Sequence, residues 1–335
     1  MIDPVVLVSL VLVLSLTAYA LLGGADYGGG LWDLLAAGPT AERQRATIAH
    51  AIGPVWEANH VWLIVAIVIV FTGFPRAFAE VSTYLHVPLS LVLIGIVLRG
   101  SAFVFRAYGA DHSRHGRFWG RVFAGASTAT PLFLGVIVGA ITEGRLPVAR
   151  TGSFASVFIQ PWLTPFSVSV GIFALVMFGY LAAVYLTLEA SDPDERSAFR
   201  TRALLSGLAV GVLAATVLVL ANPEVRRGII ASPWAVPLHI ATAASAIAAF
   251  GLLWLRRYQS ARMAAAAQVS FILWGWALTQ YPYAIRPNLT LVDAAAPSNV
   301  LVLLLQILSV GGVILLPSLL YLFRIFGPRG QASRF

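Results

Sequence analysis

The sequence predicts an all-α integral membrane protein: nine transmembrane helices in a single transmembrane domain over residues 1–335, amino terminus outside, carboxyl terminus cytoplasmic. Three observations predict it: a scarcity of charge, nine long uncharged windows, and an arginine bias between alternate connections. Hydrophobic residues make up 59% of the chain and charged residues 11%, where an ordinary soluble domain has about 25% charged. Two soluble domains of ~150 residues would fit this length, but so few charges could not cover them. Helices are expected rather than barrel strands, because the apolar runs lack apolar–polar alternation.

A helix needs ~20 apolar residues to cross the hydrocarbon core. Windows over 5–22, 61–74, 81–98, 122–142, 165–188, 203–221, 234–255, 263–283 and 299–323 approach or meet that length. The first opens behind Met1-Ile2-Asp3-Pro4, whose negative charge and long uncharged sequel miss the signal-peptide pattern, so a retained span is expected. The second is short and must recruit the polar residues of 53–60. Residues 23–47 read as the longest connection, and 143–164, with Pro147 and Pro161, as an irregular external loop. Residues 191–196 read as a polar turn between the fifth and sixth spans.

All 22 basic residues are arginine, against 14 acids, for a net charge of +8. They stand in small groups between windows, not in a run or on one face, so no nucleic-acid partner is expected. Sixteen follow odd-numbered windows and six follow even-numbered ones, which orients the chain by the positive-inside rule. Cysteine is absent, excluding disulfides, thiolate metal sites and cysteine nucleophiles. Neither a Gly-x-Ser-x-Gly elbow, a P-loop nor a close His/Asp/Glu metal spacing occurs. The chemistry left is movement of protons, electrons or a solute.

Ionisable groups within spans are costly and mark candidate sites. The densest set opens the second window: Trp56-Glu57-Ala58-Asn59-His60-Val61-Trp62. Glu57 and His60, three apart on a helix, share a face. A carboxylate partly withdrawn from water can exchange protons near neutral pH; a solvated helix-end acid within an interfacial tryptophan belt is the plainer alternative. Gly23-Gly24-Ala25-Asp26-Tyr27-Gly28-Gly29-Gly30 closes the first window. Its glycines would let a helix or cofactor approach the backbone, or would simply make a flexible helix exit. Arg99 either snorkels to the interface or compensates a buried carboxylate such as Asp26 or Glu57. His86 and His239 lie near the external ends of their spans; they are weak candidates for haem ligation beside the commoner hydrogen-bonded interfacial histidine.

Gly24-Ala25-Asp26-Tyr27-Gly28-Gly29-Gly30 resembles the G-x-D-x-G-x-G signature of subunit II of the cytochrome bd-type quinol oxidases. Gly53-Pro54-Val55-Trp56-Glu57-Ala58-Asn59-His60-Val61-Trp62-Leu63 is similar to that family's second signature, and Leu98-Arg99 with Phe103 and Phe105-Arg106 to its third. One position departs: Val104 stands where many members carry an acid, which removes the expected partner of Arg106. The compact length resembles the shorter, cyanide-insensitive branch.

The resemblance implies a complex that oxidises membrane quinol and reduces oxygen to water. Two b-type haems, one haem d and the quinol site would belong to subunit I, and this chain would ligate no haem. It implies two four-helix bundles, about 1–145 and 160–290, plus a peripheral last helix at about 298–324. Glu57 would line a proton route from the cytoplasm, Asp26 would line or support it, and Arg99 would balance buried charge. Trp56, Asn59, His60 and Trp62 would hold the helix end in position. Partners implied are subunit I, membrane lipids and quinol in the bacterial inner membrane; small accessory single-span subunits and a structural quinone or lipid stay open. Protons drawn from the inner side would add ~2.3 kcal/mol per charge for every ~100 mV crossed. A proton- or ion-coupled secondary transporter is the alternative, although paired midplane interruptions across two halves do not appear.

Overall fold

The structure, a computed structural model, describes residues 3–53, 56–108, 114–147 and 151–326. Met1, Ile2, Pro54 and Val55, named above, lie outside the described residues. Every apolar window is helical over most of its length, although 81–98 is divided at Leu85 between two helices and 263–283 runs past its helix into a strand. The helices are α1 (Pro4–Leu35), α2 (Ala41–Ile52), α3 (Trp56–Gly73), α4 (Pro75–Tyr84), α5 (His86–Tyr108), α6 (Arg114–Glu143) and α7 (Phe154–Phe158). They continue as α8 (Pro165–Glu189), α9 (Pro193–Leu220), α10 (Pro223–Ala231), α11 (Ala235–Trp254), α12 (Tyr258–Gln280), α13 (Leu291–Ala294) and α14 (Ser298–Phe326). A two-stranded antiparallel hairpin, β1 (Tyr283–Ile285) and β2 (Leu289–Thr290), joins α12 to α13.

Several helix starts follow one local rule. Asp3, Thr164, Asp192 and Asn222 each precede a proline and each accept a backbone N–H one turn in: Val5, Ser167, Asp194 and Val225 respectively. A polar cap satisfies an orphan donor while proline, lacking its own N–H, fits the first helical position. Asp192 therefore ends the turn predicted at 191–196, and Asp194 and Glu195 already belong to the first turn of α9.

Eight of the described helices are long and apolar enough to cross a membrane: α1, α3, α5, α6, α8, α9, α11 and α14. The chain is thus a multi-pass membrane protein. The ninth predicted window forms α12, which has the length but carries Arg262, Gln268, Ser270 and Gln280 and is not among the eight. The largest departure from expectation is at α1. Residues 23–47 are not an extended connection, because α1 runs straight through the glycines to Leu35 and α2 follows within a few residues. The stretch from Glu143 to Thr164, expected to be an irregular external loop, is ordered in part by α7, capped by Ser153, and by the Trp162 indole donating to Phe158 O at 2.6 Å.

Packing is between neighbours in sequence: α5 on α6, α6 on α8, α8 on α9, and α11 on α12. α1 is central, lying against α3, α6 and α8, while α14 touches α1 and α3. Two apolar cores flank α1. One, around Val8, Ile69, Phe74, Leu85, Leu301 and Leu304, fills one end; the other, around Tyr27, Phe178, Tyr180 and Leu181, fills the middle.

Candidate functional site

Glycine spacing on α1 sets the site. A Cβ built on Gly28 would lie 2.0 Å from the Phe178 carbonyl oxygen, and one on Gly30 would lie 2.2 Å from Ser127 Cβ. Gly24 faces the Phe178 ring and Gly29 faces Ile52. The glycines are therefore neither a flexible exit nor a gap held open: α2, α6 and α8 fill their faces. This close approach buries the residues between them, including Asp26 at 6% exposure and Tyr27 at 0%.

Asn59 of α3 donates from Nδ2 to Asp26 Oδ2 at 2.8 Å, a side-chain bond that joins the first two sequence motifs. One residue on, His60 Nε2 lies 3.0 Å from Arg99 Nη1 of α5. A guanidinium only donates, so the imidazole accepts at Nε2 and carries its hydrogen on Nδ1. Tyr19 and Tyr27 complete the cluster, their hydroxyls 3.3 Å apart and their rings 5.8 and 5.6 Å from that of His60. The motifs thus converge: Asp26, Asn59, His60 and Arg99 form one buried polar core among aromatic walls.

Arg99 does not snorkel. It is 2% exposed, with its guanidinium carbon 4.7 Å from the Tyr27 ring centroid, 5.6 Å from that of Phe123 and 5.8 Å from that of Trp56. Neither Asp26 nor Glu57 makes an ion pair with it among the described residues. Asn59 Oδ1, His60 Nδ1, Trp62 Nε1 and Arg99 Nε and Nη2 are buried without a hydrogen-bond partner among the described residues. Such groups are costly unless something polar reaches them.

Glu57 stands apart from this core. It is exposed in the first turn of α3, and the exposed residues Ile64, Val68 and Phe71 continue its helical stripe. Trp56 turns inward from the same turn, its ring 6.2 Å from His60 and 5.8 Å from Phe103.

Sequence reasoning missed Asp33. It is 3% exposed, and Arg106 Nη1 donates to both its carboxylate oxygens at 3.1 and 3.2 Å. Arg45 adds a bond from Nε to Asp33 O at 3.4 Å. Arg106, deprived of an acid at position 104, finds its partner on α1 instead. Asp26 and Asp33 are seven residues apart, two helical turns on one face, a signal visible only once α1 is continued through its glycines. Asp33→Ala is expected to lower stability by about 2 kcal/mol, short of the full cost of breaking a buried pair because Arg106 is partly exposed. The check is an earlier thermal-inactivation midpoint of the detergent-solubilised protein.

His86 and His239 do not join the core. His86 Nδ1 lies 2.9 Å from Thr83 O and its ring packs on Phe158 at 4.9 Å; His239 Nδ1 lies 2.6 Å from Ala235 O on exposed α11. Among the described residues no three His, Asp or Glu side chains are grouped to hold a metal ion.

Known proteins resemble this chain in sequence and in fold. A Bacillus subtilis protein, cytochrome bd ubiquinol oxidase subunit 2, is 27% identical over 222 residues, 65% of this chain and 64% of its own. The Escherichia coli cytochrome bd-I ubiquinol oxidase subunit 2 is 28% identical over 181 residues, 52% of this chain and 45% of its own. The aligned stretches thus span less than two thirds of either relative. A chain of the bd oxidase from Geobacillus thermodenitrificans has the same fold, with a TM-score of 0.80 over 97% of this chain and 98% of that one at 22% identity. The family model described as cytochrome bd terminal oxidase subunit II matches residues 4–326, and the chain belongs to that family.

Proposed function

We propose that the chain is the haem-free subunit II of a quinol:oxygen oxidoreductase in the bacterial inner membrane, and that it carries the entry of a proton route to haems of a partner subunit I. The observation that carries this reading is the placement of Glu57. A carboxylate heads an otherwise apolar exposed stripe of α3, within one helical turn of Asn59 and His60, which make the Asp26–Asn59 and His60–Arg99 pairs. Facing lipid, that acid would be costly; facing a partner's polar surface, it is a loading group with a polar interior behind it. Reducing oxygen to water consumes protons, and a haem site inside an apolar wall needs a polar way in.

In this reading Glu57 takes protons at the cytoplasmic side, with Asp26 held by Asn59 as its polar support, Trp56 and Trp62 bracing the helix start, and Arg99 balancing charge. Nine spans follow when α12 is counted, a half-buried helix whose Gln268 accepts from the Tyr180 hydroxyl at 3.1 Å. The packing supports two four-helix bundles, α1, α3, α5 and α6 followed by α8, α9, α11 and α12, with α14 peripheral.

The test is purification. Expressed alone, the chain is expected to give no haem bands in a reduced-minus-oxidised spectrum. Co-expressed with a subunit I, it is expected to co-purify with haem b, haem d and quinol-dependent oxygen uptake. Haem bands intrinsic to the isolated chain, or solute transport by it alone in vesicles, would overturn the reading.

A further inference from the structure

The short helix α2 buries Ala41, Gln44, Ile48 and Ile52 on one face and turns Glu42, Arg43 and His50 outward. Ile48 and Ile52, 1% and 4% exposed, settle on Gly29 of α1, where an added Cβ would stand 2.8 Å from Ile52 Cδ1. They share one apolar core with Phe123 of α6, Leu186 of α8 and Phe199 of α9, and Trp56 packs against that core. An apolar residue at 44 would complete this face. Gln44, 5% exposed, instead accepts from Arg202 Nη2 of α9 at 2.7 Å and donates to Thr40 Oγ1 at 3.0 Å. The Arg202 guanidinium carbon lies 5.4 Å from the Trp32 ring centroid and 5.3 Å from that of Phe199. Next to Gln44, Arg43 Nη1 lies 2.6 Å from Asp192 Oδ2, the cap of α9, and Arg45 Nη2 donates to Ala36 O at 2.8 Å. A directional buried bond fixes register where an apolar contact alone would let the helix slide.

This helix leads straight to Glu57: α2 ends at Ile52, and α3 begins at Trp56 with Glu57 next. Glu57 makes no ion pair among the described residues, so its place is set by the backbone that carries it. Two features hold that backbone. One is the Trp56 ring, whose Cη2 would lie 3.2 Å from a Cβ on Gly100 of α5. The other is α2, tied to α1 through Arg45 and to α9 through Gln44. We infer that α2 is a strap that fixes the start of α3, and that Gln44 and Arg202 are positioning residues for Glu57. Through them the second half of the molecule sets the place of a carboxylate carried by the first. Resting on the reading of Glu57 as the loading group, a slack strap slows proton entry while the carboxylate itself is untouched.

The test uses the complete oxidase complex. The chain has no cysteine, so Glu57→Cys gives it a single thiol. Alkylation of that thiol by a water-soluble maleimide, counted on this subunit by mass spectrometry, reports how firmly the start of α3 is held and needs no turnover. Adding Gln44→Leu is expected to raise the alkylation rate at least about fivefold, the scale of one hydrogen bond to a charged group. Gln44→Glu keeps an acceptor for Arg202 and is expected to leave the rate unchanged. With Glu57 in place, Gln44→Leu is expected to lower quinol-dependent oxygen uptake per haem d by a similar factor, and Gln44→Glu to preserve it. Should Gln44→Leu fail to accumulate, Arg43→Glu decides, at a half-exposed position that folding tolerates, with alkylation expected to rise at least about twofold. Unchanged alkylation in a haem-replete Gln44→Leu complex, or in Arg43→Glu where that variant decides, would overturn the strap. Faster alkylation with undiminished oxygen uptake would uphold the strap and count instead against Glu57 as the loading group.

Discussion

Glu57→Gln is expected to lower quinol-dependent oxygen uptake of the assembled complex by at least ~10-fold, while haem content and thermal stability hold. The substitution keeps size and hydrogen-bonding capacity but removes the exchangeable proton; groups that carry protons in a rate-determining step typically contribute a hundredfold or more. Stability should hold because Glu57 is exposed and makes no ion pair among the described residues. Glu57→Asp, which keeps the carboxyl group one methylene shorter, should recover most of the rate. Full turnover in Glu57→Gln with haems present would reduce this residue to a solvated helix-end acid. Measured against oxygen-electrode rates per haem d, the two outcomes are easily separated.

Gly28→Val is expected to abolish accumulation of the folded chain. A Cβ there would sit 2.0 Å from the Phe178 carbonyl oxygen and 2.8 Å from Ala182 Cβ, and the obstruction is backbone of α8, which cannot rotate aside. Membrane helices gain much of their association from such close approach of small residues. Forcing α1 from α8 would also separate Trp32 Nε1 from Gly179 O, now 2.7 Å apart. Overpacking of this kind costs ~3 kcal/mol or more, a large part of a typical folding free energy. Gly211→Ala provides the control, since nothing lies within 4 Å of its added Cβ. Immunoblots of membrane fractions should show the first variant lost and the second at normal abundance.

Much of this was legible in the sequence, and the failures have physical causes. Windows of hydrophobicity located every long helix because crossing hydrocarbon imposes a length and a composition. Glycine is ambiguous: the same residue that loosens a soluble helix allows two membrane helices to touch. The run at 23–30 therefore allows two readings, a close helix approach and a flexible exit, and the contacts of Gly24, Gly28 and Gly30 decide for the close approach. With the end of α1 misplaced, Asp33 fell into a supposed connection and its pairing with Arg106 went unseen. Arg99 stands at a depth where snorkelling is the cheap solution, and only the convergence of Tyr27, Trp56 and Phe123, residues far apart in the chain, makes burial possible. Asn59 and Asp26 lie 33 positions apart, and no local pattern announces their bond. The exposure of Glu57 depends on which neighbours α3 has, and that is a tertiary fact.

The most direct measurement is time-resolved proton uptake after an oxygen pulse to the fully reduced complex in liposomes, followed with a pH dye on the cytoplasmic side. With the native carboxylate, uptake should keep pace with haem oxidation; in Glu57→Gln it should lag behind by at least ~10-fold while the first electron transfer to oxygen proceeds unslowed. Uptake at an unchanged rate in Glu57→Gln would contradict the assignment of Glu57 as the group through which protons enter.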